Sequence, residues 1–161
     1  MTMAGSIVTQ RSQYKPLVLV DTAHLSREEW LPYRRRGIGG SDVASIFGIS
    51  PFRTARDIYY DKLNIASVDE YEGNWVAMEM GNLLEPLVAK IFGKKTGYKF
   101  YKRKKMFYHP YYPFMLADLD YFVELPDGTT AILEIKTTNY NARDNWWLNG
   151  KETVPVYYES Q

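Results

Sequence analysis

At 161 residues, 45% hydrophobic and 24% charged, the chain has the length and balance of one globular domain with a real core. No apolar run approaches the roughly 20 residues that a membrane helix needs, and the opening MTMAGSIVTQRSQYK lacks the apolar centre of a signal peptide. The absence of cysteine excludes disulfides and thiolate metal sites and fits a cytoplasmic protein, while a net charge of +1 gives no global field toward nucleic acid.

In chain order, residues 1–24 read as an extended arm, with Leu17–Val20 a short strand. Ser26-Arg-Glu-Glu29 is a capping box, so a helix begins at Arg27 and runs to about Arg35. Gly37-Ile-Gly-Gly40 breaks it, and Ser41 is expected to cap a short helix over Asp42–Phe47 that stops at Gly48. After a turn at Pro51–Thr54, Thr54 caps a third helix through about Leu63. Residues 64–73 are polar and loop-like. From Asn74 the apolar residues Val76, Met80, Leu83, Leu84, Leu87, Val88, Ile91 and Phe92 recur at helical steps, with Pro86 a kink or a second start and Gly97 the stop.

The pattern then turns to strands: Tyr98–Tyr108, a turn at His109–Pro113, Phe114–Leu125, a tight turn at Pro126-Asp-Gly128, and Thr129–Thr138. The last two are expected to pair as an antiparallel hairpin. Thr153 would cap a final helix with Pro155 near its first position, too short to be stable alone. The chain therefore reads as stopping inside an element.

Basic residues gather at Arg34–Arg36 and between Lys94 and Lys105, where aromatics alternate with them. Such runs are ordinarily solvated faces of the fold. His24 and His109 are too isolated for a zinc site. Trp146-Trp147 reads as packing, with base stacking the lesser alternative.

The chemistry concentrates in Ala131-Ile-Leu-Glu-Ile-Lys-Thr137. Alternation puts Glu134 and Lys136 on one face of the strand with Ile132, and Leu133, Ile135 and Thr137 on the other. Charges in an apolar strand are costly unless paired or bound to an ion. Across the hairpin, Asp120 faces the same side, with Asp118 two residues upstream. Two carboxylates with backbone carbonyls and water suit Mg²⁺ or Mn²⁺, and a lysine beside them suits phosphodiester hydrolysis. A metal-free Asp–Lys–Glu ion-pair network accounts for the same residues.

Asp120…Glu134-Ile-Lys136 resembles the D…(D/E)xK signature of restriction-endonuclease-like nucleases. More specifically, the chain resembles the YqaJ-type viral recombinase family, relatives of phage lambda exonuclease. Three stretches carry the likeness: Arg34-Arg-Arg-Gly-Ile-Gly-Gly-Ser-Asp42 with its continuation to Pro51, Met80-Gly-Asn-Leu-Leu-Glu-Pro86, and the core from Phe114 to Thr137. The resemblance implies an α/β fold with a restriction-endonuclease-like core, N-terminal helices and a mixed sheet over residues 25–161, incomplete at the C-terminus. It implies metal binding by Asp120, Glu134, Glu85 and the Ile135 carbonyl, catalysis by Lys136 with Gln161 at the site, and capture of a DNA 5′-phosphate by Arg34 and Ser41. Helix N–H groups around Ser41 favour an anion independently of the resemblance, although a plain N-cap accounts for Ser41 equally. The expected activity is Mg²⁺- or Mn²⁺-dependent 5′→3′ exonuclease action on linear duplex ends in phage-type recombination. Relatives work with a single-strand annealing protein and often form trimers. Asp118 departs from the family, which carries a small polar residue there. The alternative is a shortened, inactive remnant that binds DNA or protein.

Overall fold

The computed structural model describes residues 14–65, 70–138 and 140–161. Part of the expected arm (1–13) and of the expected loop (66–69) lies outside the described residues. The first strand, β1 (Leu17–Asp21), lies where the sequence places it. The capping box then starts α1 (Arg27–Arg34): Ser26 Oγ accepts from the Glu29 N–H at 3.2 Å, and Glu29 Oε2 accepts from the Ser26 N–H at 2.9 Å. Thr54 and Asp57 repeat the device at α3 (Ala55–Lys62).

Between them, α2 (Gly40–Ile46) begins two residues before the expected start, with Gly39 at the N-cap in place of Ser41. The cause is Asp42, whose carboxylate reaches back to the Gly39 N–H at 3.0 Å and satisfies the first-turn donor. Ser41 is thus inside the first turn, and its hydroxyl accepts from Arg34. The long helix α4 (Glu70–Thr96) begins four residues before Asn74 and runs unbroken through Pro86 to Gly97. Its Gly93 packs on Phe100, and Ala89 is buried, yet Leu83 is 64% exposed and Leu87 52%. Much of its apolar stripe is therefore uncovered among the described residues.

The two long strands expected over Tyr98–Tyr108 and Phe114–Leu125 are each divided. The first becomes β2 (Lys99–Tyr101) and β3 (Lys105–Tyr108), and the second β4 (Leu116–Asp118) and β5 (Tyr121–Glu124). β1-β3-β4 form one antiparallel sheet and β2-β5 join β6 (Thr130–Leu133) in another. Between the Tyr101–Phe122 and Met106–Asp118 pairs one arm has four residues and the other three. This irregularity of one residue interrupts the pairing where the hairpin passes from one sheet to the other, as a bulge does. Among the described residues the pairing within strands is antiparallel, which replaces the expected mixed sheet; a parallel bridge joins Ile38 to Met115 outside the strands. The expected hairpin around Pro126–Gly128 forms, but β6 ends at Leu133, so Glu134–Thr138 continue without ladder pairing.

The core is Met106, Phe107, Leu116, Tyr121 and Val123 of the sheets, with Ala44, Ile58 and Ala89 of the helices. Gly37 is locked into it: the neighbouring Ile38 bonds to Phe114 and Leu116, and a Cβ on Gly37 would meet the Phe114 carbonyl and lie 2.9 Å from Leu116 Cγ. Gly37→Ala is expected to lower stability by roughly 1–3 kcal/mol through overpacking. An unchanged urea midpoint would refute that fit.

Beyond the second sheet the chain makes a 3₁₀ helix (Tyr140–Trp146) and a ribbon of β7 (Trp147–Leu148) and β8 (Lys151–Glu152). Neither was expected from the sequence. The ribbon turns on Asn149 and Gly150 at φ 52° and 76°, values that Asn-Gly adopts with little strain. In α5 (Val156–Glu159) Pro155 is the N-cap, so Thr153 does not cap it; the Thr153 N–H donates to the Trp146 carbonyl instead. Trp146 packs its ring 5.6 Å from that of Tyr158.

Candidate active site

The register of β5 and β6 pairs Tyr121 with Leu133, so Asp120 and Glu134 stand opposite each other just past the end of that ladder. Here strand pairing gives way to side-chain bonding. Asp120 Oδ2 accepts from the Ile135 N–H at 2.8 Å and closes the end of the hairpin. Glu134 Oε1 accepts from Lys136 Nζ at 2.7 Å and from Gln161 Nε2 at 2.6 Å. Lys136 also stands 5.2 Å from the ring centre of Tyr158. Gln161 reaches the site because Gly40 gives it room: a Cβ there would lie 2.9 Å from Gln161 Cγ. The structure thus brings together four of the residues singled out by sequence: Asp120, Glu134, Lys136 and Gln161.

Glu85 approaches from α4, but its Oε1 accepts from Lys102 Nζ at 2.7 Å. Lys102 lies in the break between β2 and β3, 5.3 Å from the Tyr121 ring centre. Burial disfavours its ammonium, yet the Glu85 hydrogen bond and the carboxylates nearby hold its pKa above the ordinary 10.5. Half-burial, helped by the Glu134 and Glu85 charges, pushes Asp120 up from the ordinary 3.8. Asp118 is likewise pushed up by burial, while Trp30 Nε1 donates to its Oδ2 at 2.8 Å.

Carboxylate oxygens are hard donors of the kind Mg²⁺ and Mn²⁺ take. Burial is the main reason Asp120 is raised, and the Glu134 and Glu85 charges that add to it are of the sort a divalent ion relieves, so the donor set fits such an ion. As the side chains stand, no group of three or more His, Cys, Asp or Glu residues among the described residues is gathered to hold one. The lysines explain why: Lys102 holds Glu85 and Lys136 holds Glu134.

Arg34 and Ser41 meet on the other side of Gln161. Arg34 Nη2 donates to Ser41 Oγ at 3.2 Å and to Asp42 Oδ1 at 2.6 Å, and Nη1 to Asp61 Oδ2 at 3.2 Å. Arg35, Arg53 and Lys62 complete the surround of the two aspartates. Arg34 and Arg35 therefore do not form the solvated face expected of a basic run. A 130 Å³ cavity lined by Trp30, Arg34, Gly40, Ser41, Asp118 and Gln161 connects this network to the carboxylates. A second, of 220 Å³, joins Arg34, Ser41 and Arg53 to Lys136 and Tyr158. Sequence reasoning missed Trp30, Asp61, Lys62, Lys102 and Tyr158, whose partners are distant in the chain and leave no local signal, and the role of Asp42, whose local bond to Gly39 is joined by Arg34 and Lys62.

The sequence pattern described as YqaJ-like viral recombinase domain matches residues 29–161. A relative, the uncharacterized protein YqaJ of Bacillus subtilis (strain 168), is 40% identical over 142 residues, which cover 88% of this chain and 42% of that protein. The chain thus spans less than half the length of the curated relative it matches. No solved structure matches it.

Proposed function

The chain belongs to the YqaJ-like viral recombinase domain family, and on that footing we propose that it carries the catalytic centre of a metal-dependent DNA nuclease with a restriction-endonuclease-like core. The observation that carries this reading is the meeting of Asp120, Glu134, Lys136 and Gln161 at the end of one hairpin. Asp120 and Glu134, with the Ile135 carbonyl and Glu85, would hold Mg²⁺ or Mn²⁺. Such an ion supplies charge neutralisation at the scissile phosphate and a more acidic bound water.

The chain's own residues do the rest. Lys136 presents an ammonium beside Glu134 and stabilises negative charge that builds on the phosphate as water adds to phosphorus and the P–O bond breaks. Gln161 orients Glu134. Arg34 and Ser41 would receive a terminal 5′-phosphate in the cavity that opens beside Gln161, which favours 5′→3′ action on duplex ends. Service in phage-type recombination, an annealing-protein partner and a trimeric assembly belong to the same reading.

Linear 5′-phosphorylated duplex incubated with the protein should shorten with Mg²⁺ or Mn²⁺ and stay intact in EDTA. Intact DNA under both metals would sink the enzyme reading. It would favour a DNA- or protein-binding module, the reading to which the lysine-held Glu85 and Glu134 lend weight.

A further inference from the structure

Four carboxylates, those of Glu85, Asp118, Asp120 and Glu134, stand around the hairpin end with two ammonium groups, Lys102 and Lys136. The two lysines are placed differently. Lys136 is two residues from its partner Glu134, so their pairing is local. Lys102 comes from the break between the sheets and reaches across to α4 to hold Glu85 at 2.7 Å. Lys102 lies outside strand pairing, and its side chain is held by the single bond to Glu85 and by the Tyr121 ring beside it. It also lines a 450 Å³ cavity with Trp30, Lys104, Asp118, Leu119 and Asp120, which gives the ammonium somewhere to go. A lysine ammonium on four methylenes is suited to such a swing.

We infer that Lys102 is a positioning residue that competes with the divalent ion for Glu85, so that Glu85 turns to the ion only when Lys102 releases it. The inference rests on the metal-binding reading above. In charge terms, Lys102 serves as the built-in counter-ion of the carboxylate cluster. Two ammonium groups leave two of the four carboxylate charges unmatched; a divalent ion supplies those two charges and can replace Lys102 at Glu85, while Lys102 turns toward the cavity that Asp118 and Asp120 line. Lys102 acts through Glu85 and needs no contact with the scissile phosphate.

The test is calorimetric titration of the protein with MnCl₂, without DNA and at fixed ionic strength. Wild type should bind, and Asp120→Asn should lose binding. Lys102→Met, which keeps the stem and removes the charge, should bind Mn²⁺ roughly tenfold more tightly, since a like charge beside the ion is gone. Lys102→Gln should move in the same direction, and Lys102→Arg should stay near wild type. A residue that only braces the fold could leave affinity unchanged or weaken it, but its loss would not tighten binding. Wild type that binds while Lys102→Met and Lys102→Gln bind equally or more weakly would overturn the inference and leave the metal reading standing. No binding by wild type would overturn both.

Discussion

Lys136→Ala is expected to lower metal-dependent degradation of duplex DNA by roughly 10²–10³-fold, the usual loss when one preorganised group that stabilises transition-state charge is removed. The side chain is anchored rather than free: Glu134 accepts its hydrogen bond at 2.7 Å and the Tyr158 ring lies beneath it. Alanine removes the ammonium without disturbing the Asp120–Ile135 bond that closes the hairpin. Mn²⁺ affinity should therefore persist, and with Glu134 freed from its lysine it should not weaken. Single-turnover degradation measured beside calorimetry separates the two effects. Activity within threefold of wild type would remove Lys136 from the chemistry. Loss of Mn²⁺ binding as well would make it a structural support of the carboxylates.

Asp42→Ala is expected to cost roughly 3–5 kcal/mol of stability, the range for breaking a buried ion pair by removing one partner. Asp42 is 0% exposed and meets Arg34 at 2.6 Å and Lys62 at 2.7 Å, while also accepting from the Gly39 N–H that starts α2. Its loss leaves two half-buried cations facing each other and frees the first turn of the helix. Urea unfolding with an unchanged m-value measures the effect, and a loss under about 1 kcal/mol would show that Asp61 compensates.

The pH dependence has a definite sign. Burial works against the Asp42 carboxylate, but Arg34, Lys62 and the Gly39 N–H together hold its pKa below the ordinary 3.8. A group lowered on folding contributes stability that is fully present above its unfolded value and is lost as pH falls through its folded value. The gap between wild type and Asp42→Ala should thus be widest near neutrality and narrow below about pH 3.8. A gap that widens in acid would contradict the assignment.

The same residues show why some elements were readable in the sequence and others were not. The capping box at Ser26–Glu29 and the Thr54 cap form as expected because every atom they need lies within four residues, and Asp57 adds a return bond to Thr54. Ser41 has the composition of an N-cap, but Asp42 competes for the helix start and Arg34 claims the Ser41 hydroxyl. The strands over Tyr98–Tyr108 and Phe114–Leu125 have continuous β composition. Their division follows from a one-residue mismatch in pairing, a property of two segments together that neither segment contains.

By itself, the sequence determined the helix starts at Arg27 and Ala55, the hairpin around Pro126–Gly128 and the adjacency of Asp120, Glu134 and Lys136. A tight turn sets the register, which brings Glu134 opposite Asp120 just past the last strand pair, and Lys136 follows two residues later. Only the tertiary structure decided that Gln161 reaches Glu134, that Lys102 holds Glu85, and that Arg34 is clasped by Asp42 and Asp61. Each of these is a pairing of charge or hydrogen-bonding groups from separate elements. Its energy depends on distance and burial, and both come into being only when the elements pack.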